Sequence, residues 1–167
     1  MIIDLEQVLL DKISDLHTLK CKVDYWKREG EKVVFTNGVF DLLHIGHITY
    51  MAKAASLGTK LIVGLNADAS VKRLKGDNRP VNDQANRAAL LAALFFVDGI
   101  VIFEEDTPIN LISTLLPDIL VKGADYTIDN IVGAREVLAN GGEVTTIDLV
   151  EGYSSTSIIE RIRNQGS

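Results

Sequence analysis

The chain has 167 residues, 47% of them hydrophobic, with 17 Lys+Arg against 23 Asp+Glu and a net charge of −6. That describes one domain of ordinary size with ample material for a core, and the acidic balance argues against a general nucleic-acid-binding surface. No apolar run reaches bilayer-spanning length, Met1 to Leu10 lacks the basic start of a signal peptide, and the single cysteine, Cys21, excludes an intramolecular disulfide and fits a reducing cytoplasm.

Residues 4–28 read as one amphipathic helix, because Leu5, Leu9, Ile13, Leu16, Leu19, Val23 and Trp26 recur at spacings of three and four, and Gly30 offers a stop. This stripe has two possible covers, the protein's own sheet or a second copy. Residues 1–30 are therefore expected to be an N-terminal helical extension of a domain over 31–167. From there strands and helices alternate. Strands are expected near 32–36, 61–65, 99–103, 119–121 and 144–147. Helices are expected near 46–57, 69–74, 84–95, from Thr107-Pro108 to Leu116, 130–139 and 155–164, with Asp83 as a cap. Short apolar strands alternating with helices predict an α/β fold, a Rossmann-like doubly wound sheet of five parallel strands covered on both faces. Ligands on such sheets bind beyond the strand C-terminal ends. The suspicious loops, 36–47, 66–80, 122–129 and 148–156, all follow strands. There is no GxGxxG and no Walker A pattern, which argues against a dinucleotide dehydrogenase or a P-loop NTPase.

The loop after the first strand is the most informative, Thr36-Asn37-Gly38-Val39-Phe40-Asp41-Leu42-Leu43-His44-Ile45-Gly46-His47. It joins a strand to a helix N-terminus, whose unpaired N–H groups and partial positive charge suit an anion. Gly38 permits close backbone approach to a ligand. His44 and His47, three apart, share one face of the first helical turn and suggest donors to phosphate oxygens. A zinc site would need a third ligand, and the remaining His17 and Cys21 lie in the N-terminal segment. Further on, Asn66 and Asp68 end the second strand, and Asp68 is as well suited to capping the next helix as to holding a hydroxyl. Lys75-Gly76-Asp77-Asn78-Arg79-Pro80 is a basic turn on the same sheet edge.

The first loop resembles the GxFDxxHxGH signature of the cytidylyltransferase-like nucleotidyltransferases, with Gly38, Phe40, Asp41, His44, Gly46 and His47 all matching. The longer run from Phe35 looks most like the branch that adenylylates heptose 1-phosphate, except that Val39 stands where many members have Cys. The likeness extends from about Lys32 to Arg161. Leu74 to Pro80 resembles a Leu-Lys-Gly-x-x-Arg-Pro segment of that branch, which implies Lys75 and Arg79 near phosphates and a region that closes over them. Arg87 matches an arginine of the following helix across the superfamily. Pro117 to Tyr126 resembles Pro-Asp-x-x-Val-Lys-Gly-x-Asp-Tyr, which implies Lys122 and Gly123 facing phosphate and Asp125 and Tyr126 facing sugar hydroxyls. Glu151 to Ser157 resembles the Glu-Gly-x-Ser-Thr motif that opens the last helix, so Ser154, Ser155 and Thr156 would meet nucleotide phosphates. Cytidylyltransferases place Arg-Thr before that Glu-Gly, and this chain has Leu149-Val150.

The resemblance implies an adenylyltransferase that moves AMP from ATP to D-glycero-β-D-manno-heptose 1-phosphate for lipopolysaccharide core biosynthesis, releasing ADP-heptose and pyrophosphate. His44, His47 and Lys75 would be catalytic. Thr36, Asn37, Gly38, Phe40, Asp41, Gly46, Arg87, Ser154, Ser155 and Thr156 would hold nucleotide. Asn66, Asp68, Arg79, Lys122, Gly123, Asp125 and Tyr126 would hold the sugar phosphate. Mg2+ would arrive with ATP, without a protein metal site. The expected partners are ATP and a sugar 1-phosphate, with no nucleic acid and no membrane, in a cytoplasmic homodimer to which residues 4–28 contribute. Some relatives fuse a sugar kinase in front of this domain, and at this length the kinase step is expected from a separate protein. The alternatives are a cytidylyltransferase for an alcohol phosphate, a GTP-dependent heptose 1-phosphate enzyme and a non-catalytic nucleotide-binding regulator.

Overall fold

The computed structural model describes residues 3–165. Five parallel strands, β1 (Val33–Gly38), β2 (Lys60–Asn66), β3 (Gly99–Phe103), β4 (Ile119–Gly123) and β5 (Glu143–Ile147), form one sheet in the order β3-β2-β1-β4-β5. The helices are α1 (Leu5–Leu10), α2 (Leu16–Arg28), α3 (Ile45–Ala55), α4 (Asp68–Lys75), α5 (Gln84–Ala92), α6 (Ile109–Leu115), α7 (Ala134–Ala139) and α8 (Ser155–Gln165), with a 3-10 turn at Ile128–Asn130.

The central strands are apolar over most of their length because helices bury both of their faces, while the edge strand β5, with Glu143, Thr145 and Thr146, is only partly covered. Side chains alternate between the two layers with the pleat. Val34, Leu61, Val63, Leu65, Ile100, Ile119 and Val121 point to one layer, with Tyr50, Met51 and Ala54 of α3 and Ala88, Leu91 and Ala92 of α5. Val33, Phe35, Ile62, Val101, Phe103 and Leu120 point to the other, with α2, α6 and α7. The doubly wound architecture expected from the alternation is the one observed.

The N-terminal segment differs from the single helix expected over 4–28. It is two helices, broken at Lys12–Ser14 by a piece of strand. Ile13 bridges Ile100 in parallel, Ser14 N–H donates to the Ile100 carbonyl (3.0 Å), and Ile100 N–H donates to the Lys12 carbonyl (2.7 Å). Asp15 then caps α2 by accepting from Thr18 N–H at 2.8 Å. The apolar period continues across the break, but the edge of β3 offers unpaired backbone groups and wins the intervening residues. Leu19 and Val23 are fully buried against the sheet, so α2 is covered by its own chain and the division at residue 30 is not a packing boundary. α1 buries no residue completely.

Smaller shifts occur at element ends. β1 runs to Gly38, so Asn37 and Gly38 are still strand. Pro108 stands at the N-cap of α6 rather than inside its first turn. β1 pairs with β2 along its whole length but with β4 only at Val34↔Ile119 and Phe35↔Leu120. The sheet therefore opens between the C-terminal ends of β1 and β4, where the chain order reverses and a ligand crevice is expected.

Candidate active site

A cleft of about 700 Å3 lies over those strand ends. Its floor is the turn from β1 into α3. Phe40 adopts φ 45°, a left-handed conformation uncommon for a non-glycine residue. This folds its ring back so that a Cβ on Gly38 would come within 3.0 Å of it. The clearance at Gly38 is thus used by a side chain of the protein. The Phe40 ring packs edge-on to His47, centroids 5.3 Å apart at 73°. Gly46 serves the neighbouring ring in the same way, since a Cβ there would lie 3.0 Å from His44.

His44 is the N-cap residue of α3, and its ring makes no capping bond. It stacks on His47 with centroids 3.8 Å apart, and the Nδ1 atoms of both rings are buried without a partner. Burial lowers the pKa of His44. His47 is lowered to about 4 by burial, by the neighbouring His44 and by Lys75, against an opposing pull from the Leu42 carbonyl. Both imidazoles are therefore neutral at pH 7 and each can donate one hydrogen bond.

Cations line the same cleft. Lys75 ends α4, its pKa lowered by burial and by Arg79, with Asp41 opposing. Lys122 is the last residue but one of β4, where burial lowers it to about 8 against the pull of Asp125, with its ammonium 5.4 Å from the centre of the Tyr126 ring. Arg79 donates from Nε to Asp41 at 2.7 Å, and its Nη2 is buried without a partner. Asp41 borders the cleft, but Arg79 and the N–H groups of Val81 and Asn82 occupy its carboxylate. Burial would raise that carboxyl, and those donors outweigh it and hold its pKa below the usual range.

Of the residues expected at the site, the cleft gathers His44, His47, Lys75, Asn37, Gly38, Phe40, Asp41, Gly46, Asn66, Arg79, Lys122, Gly123, Asp125, Tyr126, Ser154, Ser155 and Thr156. It does not gather Thr36, Asp68 or Arg87. Thr36 is buried and pairs its hydroxyl with Tyr50 at 2.8 Å. Arg87 is fully buried, and it donates to the Asn82 carbonyl at 3.0 Å, the Val39 carbonyl at 2.7 Å and Asp68 at 2.7 Å. The expected nucleotide arginine is therefore a brace behind the motif, and Asp68 is its counter-ion. At α8, Ser154 caps the helix through Ser157 N–H at 3.0 Å, and Ser155 donates to the Leu42 carbonyl at 3.1 Å, tying α8 to the floor.

Residues that the sequence reading missed also line the cleft. Tyr50 links the fork, sharing a hydrogen bond with Thr36 and donating to the Val121 carbonyl at 3.3 Å. Asp106, Thr107 and Pro108 follow β3. The strand-end rule that selected the other four loops applies equally to this one. Leu149, Val150 and Tyr153 add an apolar wall.

A neutral, stacked imidazole pair at a helix N-terminus shares this cleft over the sheet with two lysines, and the chain belongs to the cytidylyltransferase-like family, which it matches over residues 35–161. It is 56% identical over 153 residues to the bifunctional protein HldE of Mesorhizobium japonicum, covering 92% of this chain and 31% of that one. It is 60% identical over 136 residues to HldE of Campylobacter fetus, covering 81% and 29%. The chain thus spans about a third of the length of these curated relatives. Among solved structures it is similar to a lipopolysaccharide core biosynthesis protein from Thermoplasma volcanium, with TM-score 0.58, 30% identity and coverage of 75% of this chain and 100% of that one. A pantoate-beta-alanine ligase from Francisella tularensis shares the fold at 16% identity, with TM-score 0.58 and coverage of 92% and 76%. Among the described residues no helix is long and apolar enough to cross a membrane.

Proposed function

We propose that the protein transfers AMP from ATP to D-glycero-β-D-manno-heptose 1-phosphate, giving ADP-heptose and pyrophosphate for lipopolysaccharide core biosynthesis. The observation that carries this reading is the neutral His44–His47 stack in a cleft also lined by Lys75 and Lys122. An oxygen of the sugar phosphate attacks the α-phosphorus of ATP in line. The new P–O bond forms as the bond to the bridging oxygen breaks, and the electron pair leaves with pyrophosphate. The attacking oxygen is already anionic, so the reaction needs no general base. Catalysis is positioning and charge stabilisation. His44 and His47 donate to the phosphoryl oxygens as charge builds, and Lys75, Arg79 and Lys122 neutralise the triphosphate and the incoming phosphate. Thr156, whose hydroxyl makes no hydrogen bond among the described residues while those of Ser154 and Ser155 do, is the α8 hydroxyl offered to the nucleotide.

Magnesium enters as part of the MgATP substrate. Of the carboxylates bordering the cleft, Asp41 is occupied as described, Asp106 pairs with Arg73 at 2.9 Å and Asp125 faces the Lys122 ammonium. That supports a metal held mainly by phosphate oxygens and water.

The heptose-branch motifs and the similarity to HldE support this acceptor. We place the enzyme in the cytoplasm, where ATP is available, and assign it the nucleotidyl-transfer share of what the bifunctional relatives do. We also propose a homodimer. Because α2 is covered by its own sheet, the contact falls to the exposed Leu5, Val8 and Leu10 of α1, with Leu90 and Phe95, which is 91% exposed. Sedimentation of the full chain tests this, and a monomer at micromolar concentration rejects it.

The decisive measurement for the activity is pyrophosphate release from ATP, CTP and GTP against a panel of sugar and alcohol phosphates. ATP with the β-heptose 1-phosphate is expected to turn over fastest. Equal or better turnover with CTP and glycerol 3-phosphate, or with GTP and the other anomer, assigns the chain to those reactions instead. No turnover with any pair makes it a nucleotide-binding regulator.

A further inference from the structure

The segment after α4 is stitched to the motif from two sides. In front, the Asp41 carboxylate accepts from Arg79 Nε (2.7 Å), Val81 N–H (2.8 Å) and Asn82 N–H (2.9 Å), while Asn82 Nδ2 donates to the Asp41 carbonyl at 3.0 Å. Behind, Arg87 joins the Asn82 carbonyl to the Val39 carbonyl. Asp41 is 1% exposed and Arg79 only 14%. Three donors on one buried carboxylate are more than an ion pair requires, and they fix the guanidinium by one edge. Nη2, which shares the Nε edge, is buried without a partner, and Arg79 itself lines the cleft. A buried guanidinium N–H without an acceptor carries an unmet hydrogen bond, and an anionic oxygen in the cleft would satisfy it.

We propose that Asp41 is a positioning residue that aims the remaining N–H groups of Arg79 at a substrate phosphate, so that the basic rim of the cleft is set before nucleotide binds. The net charge of the Asp41–Arg79 pair is near zero, so what the pair supplies is a planar fork at a fixed angle. This differs from the closing movement that the family resemblance implied for residues 75–80, since the segment is already fastened to the floor. Arg87 holds the same segment without touching the ligand. The inference rests on the reading of the cleft as a phosphate-transfer site.

The test is a double-mutant cycle on the full chain, read by calorimetric binding of ATP and of inorganic pyrophosphate. The variants are Asp41→Asn, Arg79→Gln, both together, and Arg79→Lys. Each single substitution is expected to weaken binding of both ligands about tenfold or more, the weight of a charge-assisted hydrogen bond. The pair is expected to match the worse single within about twofold, because Asp41 acts through Arg79. Arg79→Lys keeps the charge and loses the anchored fork, and it is expected to fall with Arg79→Gln. Additive losses, or wild-type binding by Arg79→Lys, overturn the proposal, as does a wild-type chain that binds no pyrophosphate. Should Asp41→Asn fail to fold, the comparison of Arg79→Lys with Arg79→Gln decides alone. Pyrophosphate carries neither base nor sugar. Coupling seen with it, in a chain that makes no ADP-heptose, leaves this inference standing and rejects the adenylyl-transfer reading.

Discussion

The rings of His44 and His47 lie 3.8 Å apart and 24° from parallel. Two imidazolium ions could not share that separation at low cost, and the downward shifts of both groups agree with a neutral pair. A neutral pair supplies donors to a developing phosphoryl charge without competing as permanent counter-ions for the ground-state triphosphate.

Replacing either histidine with alanine should therefore lower kcat about 10²–10³-fold, the usual weight of a lost transition-state donor. ATP affinity should change much less. Steady-state turnover beside equilibrium ATP binding separates the two effects, and near wild-type kcat in either variant would remove that ring from the mechanism.

Lys122 gives a pH signature. Burial lowers its ammonium to about 8, so the free enzyme carries this charge below pH 8 and loses it above. Apparent affinity for phosphate ligands should fall as pH rises through about 8. Lys122→Arg, which stays charged, should flatten that limb. An unchanged alkaline limb in the arginine variant would assign it to another group.

Gly46→Ala separates fold from function. An alanine Cβ would lie 3.0 Å from the His44 ring and 3.5 Å from Tyr153 Cβ. In a helix, Ala is favoured over Gly by up to about 1 kcal/mol. The melting temperature should thus hold nearly constant while turnover falls at least about tenfold, as expected when a catalytic ring is displaced. A variant that keeps full activity would show that the ring has room to move.

Leu19→Ala tests the place of α2. The side chain is fully buried, and its Cδ1 fills the space where a Cβ on Gly99 would sit. Loss should cost roughly 2–5 kcal/mol, read by denaturant unfolding. Removing α2 strips one sheet face, so the shortened chain should lose its cooperative transition.

The sequence by itself determined the layered α/β plan and the address of the site. Strand hydrophobicity, helix periodicity and the strand-to-helix turn at 36–47 are local, and local patterns are what a sequence displays directly. The order of the strands, the fork between β1 and β4 and the fates of particular polar groups were decided only in three dimensions. Arg87 and Asp68 read as ligands in sequence and prove to be each other's partners, because a buried guanidinium takes the nearest carboxylate. Asp41 belongs to a binding motif, yet its oxygens are taken by Arg79, Val81 and Asn82, about forty residues away along the chain. The helix expected over 4–28 breaks at Ile13 because the β3 edge, distant in sequence, offers hydrogen bonds that no local period announces. Side-chain chemistry and spacing can nominate a group for a site. Whether it faces the ligand or another residue depends on which donors and acceptors the fold brings within reach.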